Sequence, residues 1–260
     1  MNSTPHIKST ATEFTFEGSR ITLYGSSEDE YIFSKILNHS TFYEQTFLKY
    51  LRFCVRKSGC FIDAGANIGN HSIFFSKIMA RKCISFEPNP KAYALLKKNI
   101  VANNSTAVAY ELGLSNTTSR ARIRQDGSCS KNLGATTLVQ DTGAEDAILM
   151  RSLDGLLNEK HLNQKVAAIK VDVEGFEDKV LAGSVNTIVR DRPSVFVEAI
   201  DSPAYEAVNS VLEPIGYKEI YSLGGTPMYH FVHRTAYTEI LRSRIWQTAF
   251  KVGKWLRTMR

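Results

Sequence analysis

The stretch Phe61-Ile62-Asp63-Ala64-Gly65-Ala66-Asn67-Ile68-Gly69-Asn70-His71-Ser72 decides how the rest of the chain reads. An apolar run ends in an acid, two glycines four positions apart follow, and a helical pattern over 70–80 begins after the second. That is strand, tight turn and helix, the opening unit of an α/β sheet that binds a ligand at its strand tips. Gly65 and Gly69 let the backbone turn sharply and approach a ligand closely. The spacing D-x-G-x-x-x-G departs from the dinucleotide pattern G-x-G-x-x-G, because position 67 is Asn. Asp63 suits a cationic ammonium, directly or through water, and would be a poor neighbour for a pyrophosphate.

Outward from this unit, further strand candidates are CISFE (83–87), AVAYEL (107–112), VAAIKVDV (166–173) and SVFVEAI (194–200), with CFIDA (60–64) as the first. Helical patterns at 70–80, 90–103, 176–190 and 204–215 separate them. Alternating β and α units predict a mostly parallel sheet with helices on both faces. YKEIYSL (217–223) and MYHFVH (228–233) are joined only by Gly-Gly-Thr-Pro, so they must pair antiparallel. Seven strands with one reversed is the layout of a Rossmann-like class I methyltransferase sheet; a dehydrogenase would end in another parallel unit.

Three regions follow. Residues 1–58 hold a loose polar start, a hairpin in EFTFEGSRITLYG (13–25) and two helical stretches at 28–37 and 41–57, together a cap. Residues 59–234 form the ligand-binding domain. Within it, 116–165 is too long for a simple connection. It is read as two short strands, an extra edge strand and a helical turn, placed as a lid over the substrate. Residues 235–260 form a basic amphipathic helix.

The second ligand signal is SFEPNP (85–90). Glu87 ends the second strand of the sheet, about 20 residues past the glycine loop, where an acid accepts both ribose hydroxyls. Asn89 lies beside it, and Pro88 and Pro90 stop the strand and start the helix. The third is ELGLSN (111–116): Gly113, Leu114 and Ser115 follow the third strand, where an adenine edge would meet backbone and small side chains. Three such features at consecutive strand ends point to S-adenosyl-L-methionine. On the catalytic side, Asp172 and Glu174 end the fourth strand two residues apart, so in extended chain they point the same way.

FIDAGANIG (61–69), FEPNP (86–90), LGLSN (112–116), LGATTL (133–138), RSLDGLL (151–157), IKVDVEGFEDKVLAG (169–183) and RPSVFVEA (192–199) occur in this order. Together they resemble the FkbM family of methyltransferases over roughly residues 40–200, and DVEG is the most discriminating element. The resemblance implies O-methylation of a hydroxyl on a sugar, glycolipid or natural product. By the same resemblance Asp63, Gly65, Asn67, Gly69, Glu87 and Ser115 carry over to the cofactor site, and Asp172 and Glu174 to the catalytic side. Glu44, in FYEQTF, is a candidate to close over the methionine end. Glu198 is a candidate third acid, His71 reads as a helix-start residue, and 134–138 as pocket lining from the insertion.

The activated methyl needs mainly in-line alignment. An alcohol acceptor adds the need for a general base, for which Asp172 and Glu174 are the candidates. A divalent metal on Asp172, Glu174 and Glu198 is the rival account; the metal-free version is favoured.

Charge narrows the partners. The net charge is +6, yet 239–260 carry six basic residues and one acid, leaving 26 basic and 25 acidic residues elsewhere. A near-neutral body argues against nucleic acid, which needs basic residues spread over one face. In the tail, Leu241, Ile245, Ala249, Val252, Leu256 and Met259 share a helical face that either rests on an anionic membrane or packs on the domain or a second subunit in a homodimer. No apolar stretch is long enough to span a bilayer and no signal-like core opens the chain, which predicts a cytoplasmic protein, peripheral at the inner membrane surface if the tail binds lipid. Of four cysteines, none in a C-x-x-C pair, three lie in or beside apolar segments and read as reduced core thiols.

Overall fold

The apolar runs that suggested strands pair in the order the sequence pattern requires. The computed structural model describes residues 9–26, 30–55, 57–123, 138–140, 147–159 and 164–258, with backbone only at 123, 138–140 and 252–258. The chain opens with a hairpin, β1 (Thr10–Phe16) and β2 (Ser19–Gly25), then α1 (Tyr31–His39) and α2 (Gln45–Cys54). The first βα units follow: β3 (Cys60–Ala64), α3 (Asn70–Ile73), β4 (Cys83–Phe86), α4 (Pro90–Ala102) and β5 (Val108–Tyr110). Next come β6 (Gly113–Leu114), β7 (Ser119–Ile123), β8 (Leu138–Gln140), β9 (Ile148–Arg151) and α5 (Leu153–Glu159). The chain then runs through β10 (Val166–Val171), α6 (Glu177–Ala182), α7 (Val185–Asp191), β11 (Ser194–Glu198), α8 (Ser202–Leu212), β12 (Tyr217–Leu223), β13 (Met228–His233) and α9 (Tyr237–Thr258).

The main sheet runs β12-β13-β11-β10-β3-β4-β5, and β13 alone is antiparallel to its neighbours. This is the Rossmann-like class I methyltransferase order expected. Side chains alternate across it. Phe61, Cys83, Ala168 and Phe196 join one core layer with the hairpin, α1, α2 and the helix after β3. Ile62, Ile84, Ile169 and Val195 join the other, with α5, α7 and α8. The cap thus shares a core with the sheet. Cys54, Cys60 and Cys83 are buried free thiols; Cys129 lies outside the described residues.

The hairpin docks through two side chains that imitate a strand. Asn99 and Asn103, one turn apart on α4, bracket alternate residues of β2. Asn103 accepts from Thr22 N (3.0 Å) and donates to Thr22 O (2.6 Å). Asn99 accepts from Tyr24 N (2.7 Å), donates to Tyr24 O (3.1 Å) and also reaches Ile68 O (2.7 Å).

Four expectations need correction. The helix expected over 70–80 opens as α3 but continues as a π-helical turn, Phe74–Ile78. The helix expected over 176–190 breaks into α6 and α7 at Gly183 and Ser184. There the backbone presses on the β6 end, and a Cβ at Gly183 would lie 2.0 Å from Ser115 O. Among the described residues the insertion adds no edge strand to the main sheet: β6-β9-β7-β8 is a sheet of its own. The fourth main strand stops at Val171, so Asp172 and Glu174 are not in extended chain.

Candidate active site

Strand register builds the floor of the site. Lys170 on β10 pairs with Asp63 on β3, and Asp63 with Ser85 on β4. Residues paired in a parallel sheet share a face, so three polar side chains form a row on the tips of the central strands. All three are buried. The Lys170 ammonium lies 3.3 Å from Asp63 Oδ1 and 3.3 Å from Asp172 Oδ2, and donates to Gly65 O at 2.9 Å. Ser72 Oγ donates to Asp63 Oδ2 at 2.5 Å and sits 2.8 Å from Ser85 Oγ. Burial alone would favour the neutral amine of Lys170, but the Asp172 and Asp63 charges outweigh it and raise its pKa.

Above this row opens a cleft of about 840 Å³. Gly65, Asn67, Glu87, Gly113, Leu114, Asp172 and Glu174 line it, with Tyr43, His71, Met150 and Phe176 among the rest. At one end Glu87 Oε2 accepts from Asn67 N (2.7 Å) and Oε1 from Asn89 N (2.8 Å). Burial pushes the Glu87 carboxyl up to about 7 against the pull of those two amides. At the other end the lining Asp172 and Glu174, with Glu198 beside them but not in the lining, each offer a carboxylate oxygen, all within 4.8 Å of one another. Burial would raise Asp172, yet the Lys170 ammonium and the hydrogen bond with Glu198 hold it below the usual carboxylate range. Glu198, half-buried and facing the Asp172 charge, is pushed up to about 9. Glu174 is pushed up to about 7 by burial and then by Asp172. A turn with Glu174 at φ 56° and Gly175 at φ 102° folds the loop back and brings Glu174 to its partners.

A profile of the FkbM methyltransferase domain matches residues 63–232 of this chain. The chain belongs to the FkbM methyltransferase family. It is similar to Methyltransferase 1 of Beauveria bassiana, 28% identical over 177 residues, covering 60% of this chain and 71% of that protein. It is also similar to the hexuronic acid methyltransferase AglP of Haloferax volcanii, 29% identical over 127 residues, covering 48% of this chain and 50% of AglP. The FkbM methyltransferase of Methylobacillus flagellatus superposes with a TM-score of 0.47 at 16% identity, over 68% of this chain and 44% of that one. The chain therefore spans about half the length, or less, of AglP and of the solved FkbM protein.

Within this FkbM site the sequence-predicted residues separate into two groups. Asp63 does not line the cleft: Lys170 and Ser72 take up its carboxylate beneath the floor. Gly65 does line it, but the room its missing side chain leaves is filled from within. At φ 75° a Cβ there would meet Asp172 O at 1.7 Å, so the glycine seats the DVEG loop on the glycine loop. Gly69 is the helix N-cap at φ 90° and is not among the lining residues. Asn89 caps α4, accepting from Lys91 N at 2.9 Å. Ser115 is buried against Gly183 and does not reach the cleft. Glu44, in a left-handed turn at φ 54°, is not a lining residue either but sits 3.3 Å from Nε2 of the lining His71. Residues 134–137 lie outside the described residues, as does the side chain of Leu138.

Lys170 is the residue that the motif reading passed over. Its signal was present: a lysine inside a wholly buried six-residue strand requires buried acids for company.

The lining also fits the cofactor that the FkbM family implies. Asn67 Oδ1 is a buried acceptor without a partner at the cleft wall. The charged lining groups are Glu87, Asp172 and Glu174, with one lysine already shared between Asp63 and Asp172. Such a surface suits a ligand bearing cations and a diol, and disfavours a polyphosphate.

Proposed function

We propose that this methyltransferase uses S-adenosyl-L-methionine to O-methylate a hydroxyl of a sugar, glycolipid or natural-product acceptor. One observation carries the reading: a single cleft is lined by Glu87, an acid suited to a ribose diol, and by Asp172 and Glu174, whose carboxylates converge with that of Glu198. The hexuronic acid specificity in the name of AglP supports a sugar acceptor for this chain.

When bound, the cofactor supplies a methyl group already activated by its positive sulfur. The protein's own residues orient the acceptor and receive its proton. Glu174 is the base this arrangement favours, because its affinity for a proton lies near neutrality, where a base works best. Asp172, held ionised by Lys170, is suited to accept a hydrogen bond from the acceptor and orient it. Glu198 carries the proton shared with Asp172 and relieves the repulsion between two adjacent acids. Glu174→Gln should lower kcat by about 10²- to 10⁴-fold while cofactor affinity stays within a few-fold. Wild-type turnover in that variant would remove Glu174 from the mechanism.

A second reading rests on the same convergence. Asp172, Glu174 and Glu198 present the hard oxygen donors that a divalent cation prefers. Such an ion would lower the acceptor hydroxyl's pKa. Turnover that survives exhaustive chelation supports the metal-free account; turnover lost on chelation and restored by magnesium supports the second.

A further inference from the structure

α9 docks on the domain by a polar face and turns an apolar one to solvent. Glu239 pairs with Lys57 at 3.2 Å, and Ser243 Oγ sits 2.8 Å from the Tyr50 hydroxyl. Gln247 donates to Ile220 O at 3.1 Å, and Trp246 packs edge-on against Tyr50. The stripe that the sequence groups on one face is the other side of the helix. Tyr237, Leu241 and Ile245, at four-residue steps, are 75%, 59% and 50% exposed, and Ala249 continues the line in the open. The sequence extends the same spacing to Val252, Leu256 and Met259.

Cations border one edge of the stripe. Arg244 and Lys251 are exposed beside it on the helical wheel, and no described acid pairs with either. Glu239, the one acid of α9, is turned inward. Among the described residues no helix is long and apolar enough to cross a membrane. An apolar stripe with a basic edge on a helix that does not span is the pattern of a helix lying in the headgroup plane.

The docking contacts also fix the direction of the helix. Its contacts climb from Lys57, beside the start of β3, to Tyr50 and Ile220 at mid-sheet. Its last turns therefore run toward the end of the sheet where the cleft opens.

We propose that α9 binds an anionic lipid surface through this stripe. A second copy of the chain is the less favourable occupant, since pairing the stripes would bring two cationic helices together. The proposal goes beyond methyl transfer, and its test needs no turnover, so either can fail alone.

The test is co-sedimentation of the full chain with phosphatidylcholine vesicles, with and without phosphatidylglycerol. Wild type should sediment with the anionic vesicles, less so as salt rises, and not with the neutral ones. Leu241→Glu/Ile245→Glu and Arg244→Glu/Lys251→Glu, with unchanged melting temperatures, should each partition about tenfold less or weaker still. Wild type left in the supernatant, or variants that sediment equally, overturns the proposal. So does a wild-type dimer that the stripe variant converts to monomer while vesicle binding is unchanged.

Discussion

Lys170 carries one positive charge between two carboxylates: strand register sets it beside the buried Asp63, and Asp172 meets it from the cleft lining. Lys170→Met keeps the volume but leaves the buried Asp63 and the half-buried Asp172 uncompensated. It should cost roughly 3–5 kcal/mol in chemical denaturation. It should also raise the pKa of Asp172, so the pH profile of any residual activity shifts, which a merely structural loss would not do. In the wild type, turnover should be low below pH 7 and rise as Glu174 ionises through about 7. That limb should be missing from the residual activity of Glu174→Gln. The motif residues were legible because their types announce chemistry: acids and glycines at strand tips. Lys170 was not, because its meaning lies in a cross-strand neighbour that periodicity along one strand does not reveal. Asp63 and Gly65 were legible as important, and the contacts around them were not. What fills the space at each is another part of the chain, the Lys170 ammonium and the Asp172 carbonyl.

The elements were most legible where burial sets them. Apolar runs of four to seven residues became β3, β4, β10, β11, β12 and β13, and the short Gly-Gly-Thr-Pro link forced the antiparallel pair. They were least legible where a tertiary contact decides. The α6–α7 break answers to Ser115, far along the chain, and the π-helical turn after α3 leaves no mark in the hydrophobic pattern. The docking of the hairpin belongs to the same class. Asn103 reads in sequence as a helix end, but with Asn99 it completes the edge of β2. Asn99→Ala removes one buried and two part-buried hydrogen bonds and strands the β2 edge. It should cost about 1–3 kcal/mol. Amide exchange at Tyr24 should quicken more than exchange in β10; equal change throughout would show that the asparagine does not hold the hairpin.

For the molecule as a whole, the cleft is an acidic concentration in an otherwise near-neutral body, and this has a consequence for stability. Glu87, Glu174 and Glu198 hold protons more tightly when folded than an ordinary carboxyl does, to about 7, 7 and 9. Between about pH 5 and 9 the folded protein therefore binds more protons than the unfolded chain. Stability that these groups supply at low pH is lost as pH rises through that window. The melting temperature of the ligand-free protein should fall from pH 5 to 9, and substituting Gln at Glu198 should flatten the fall. A cationic ligand that neutralises the cleft should oppose it, most strongly at high pH. The claim beneath all of this is that the cleft is built for S-adenosyl-L-methionine, and calorimetric titration of the folded, purified protein tests it most directly. The account predicts saturable one-to-one heat with S-adenosyl-L-methionine and with its demethylated product, and binding about tenfold weaker or more in Glu87→Gln. Absence of heat with both ligands, while the protein remains folded, would contradict it.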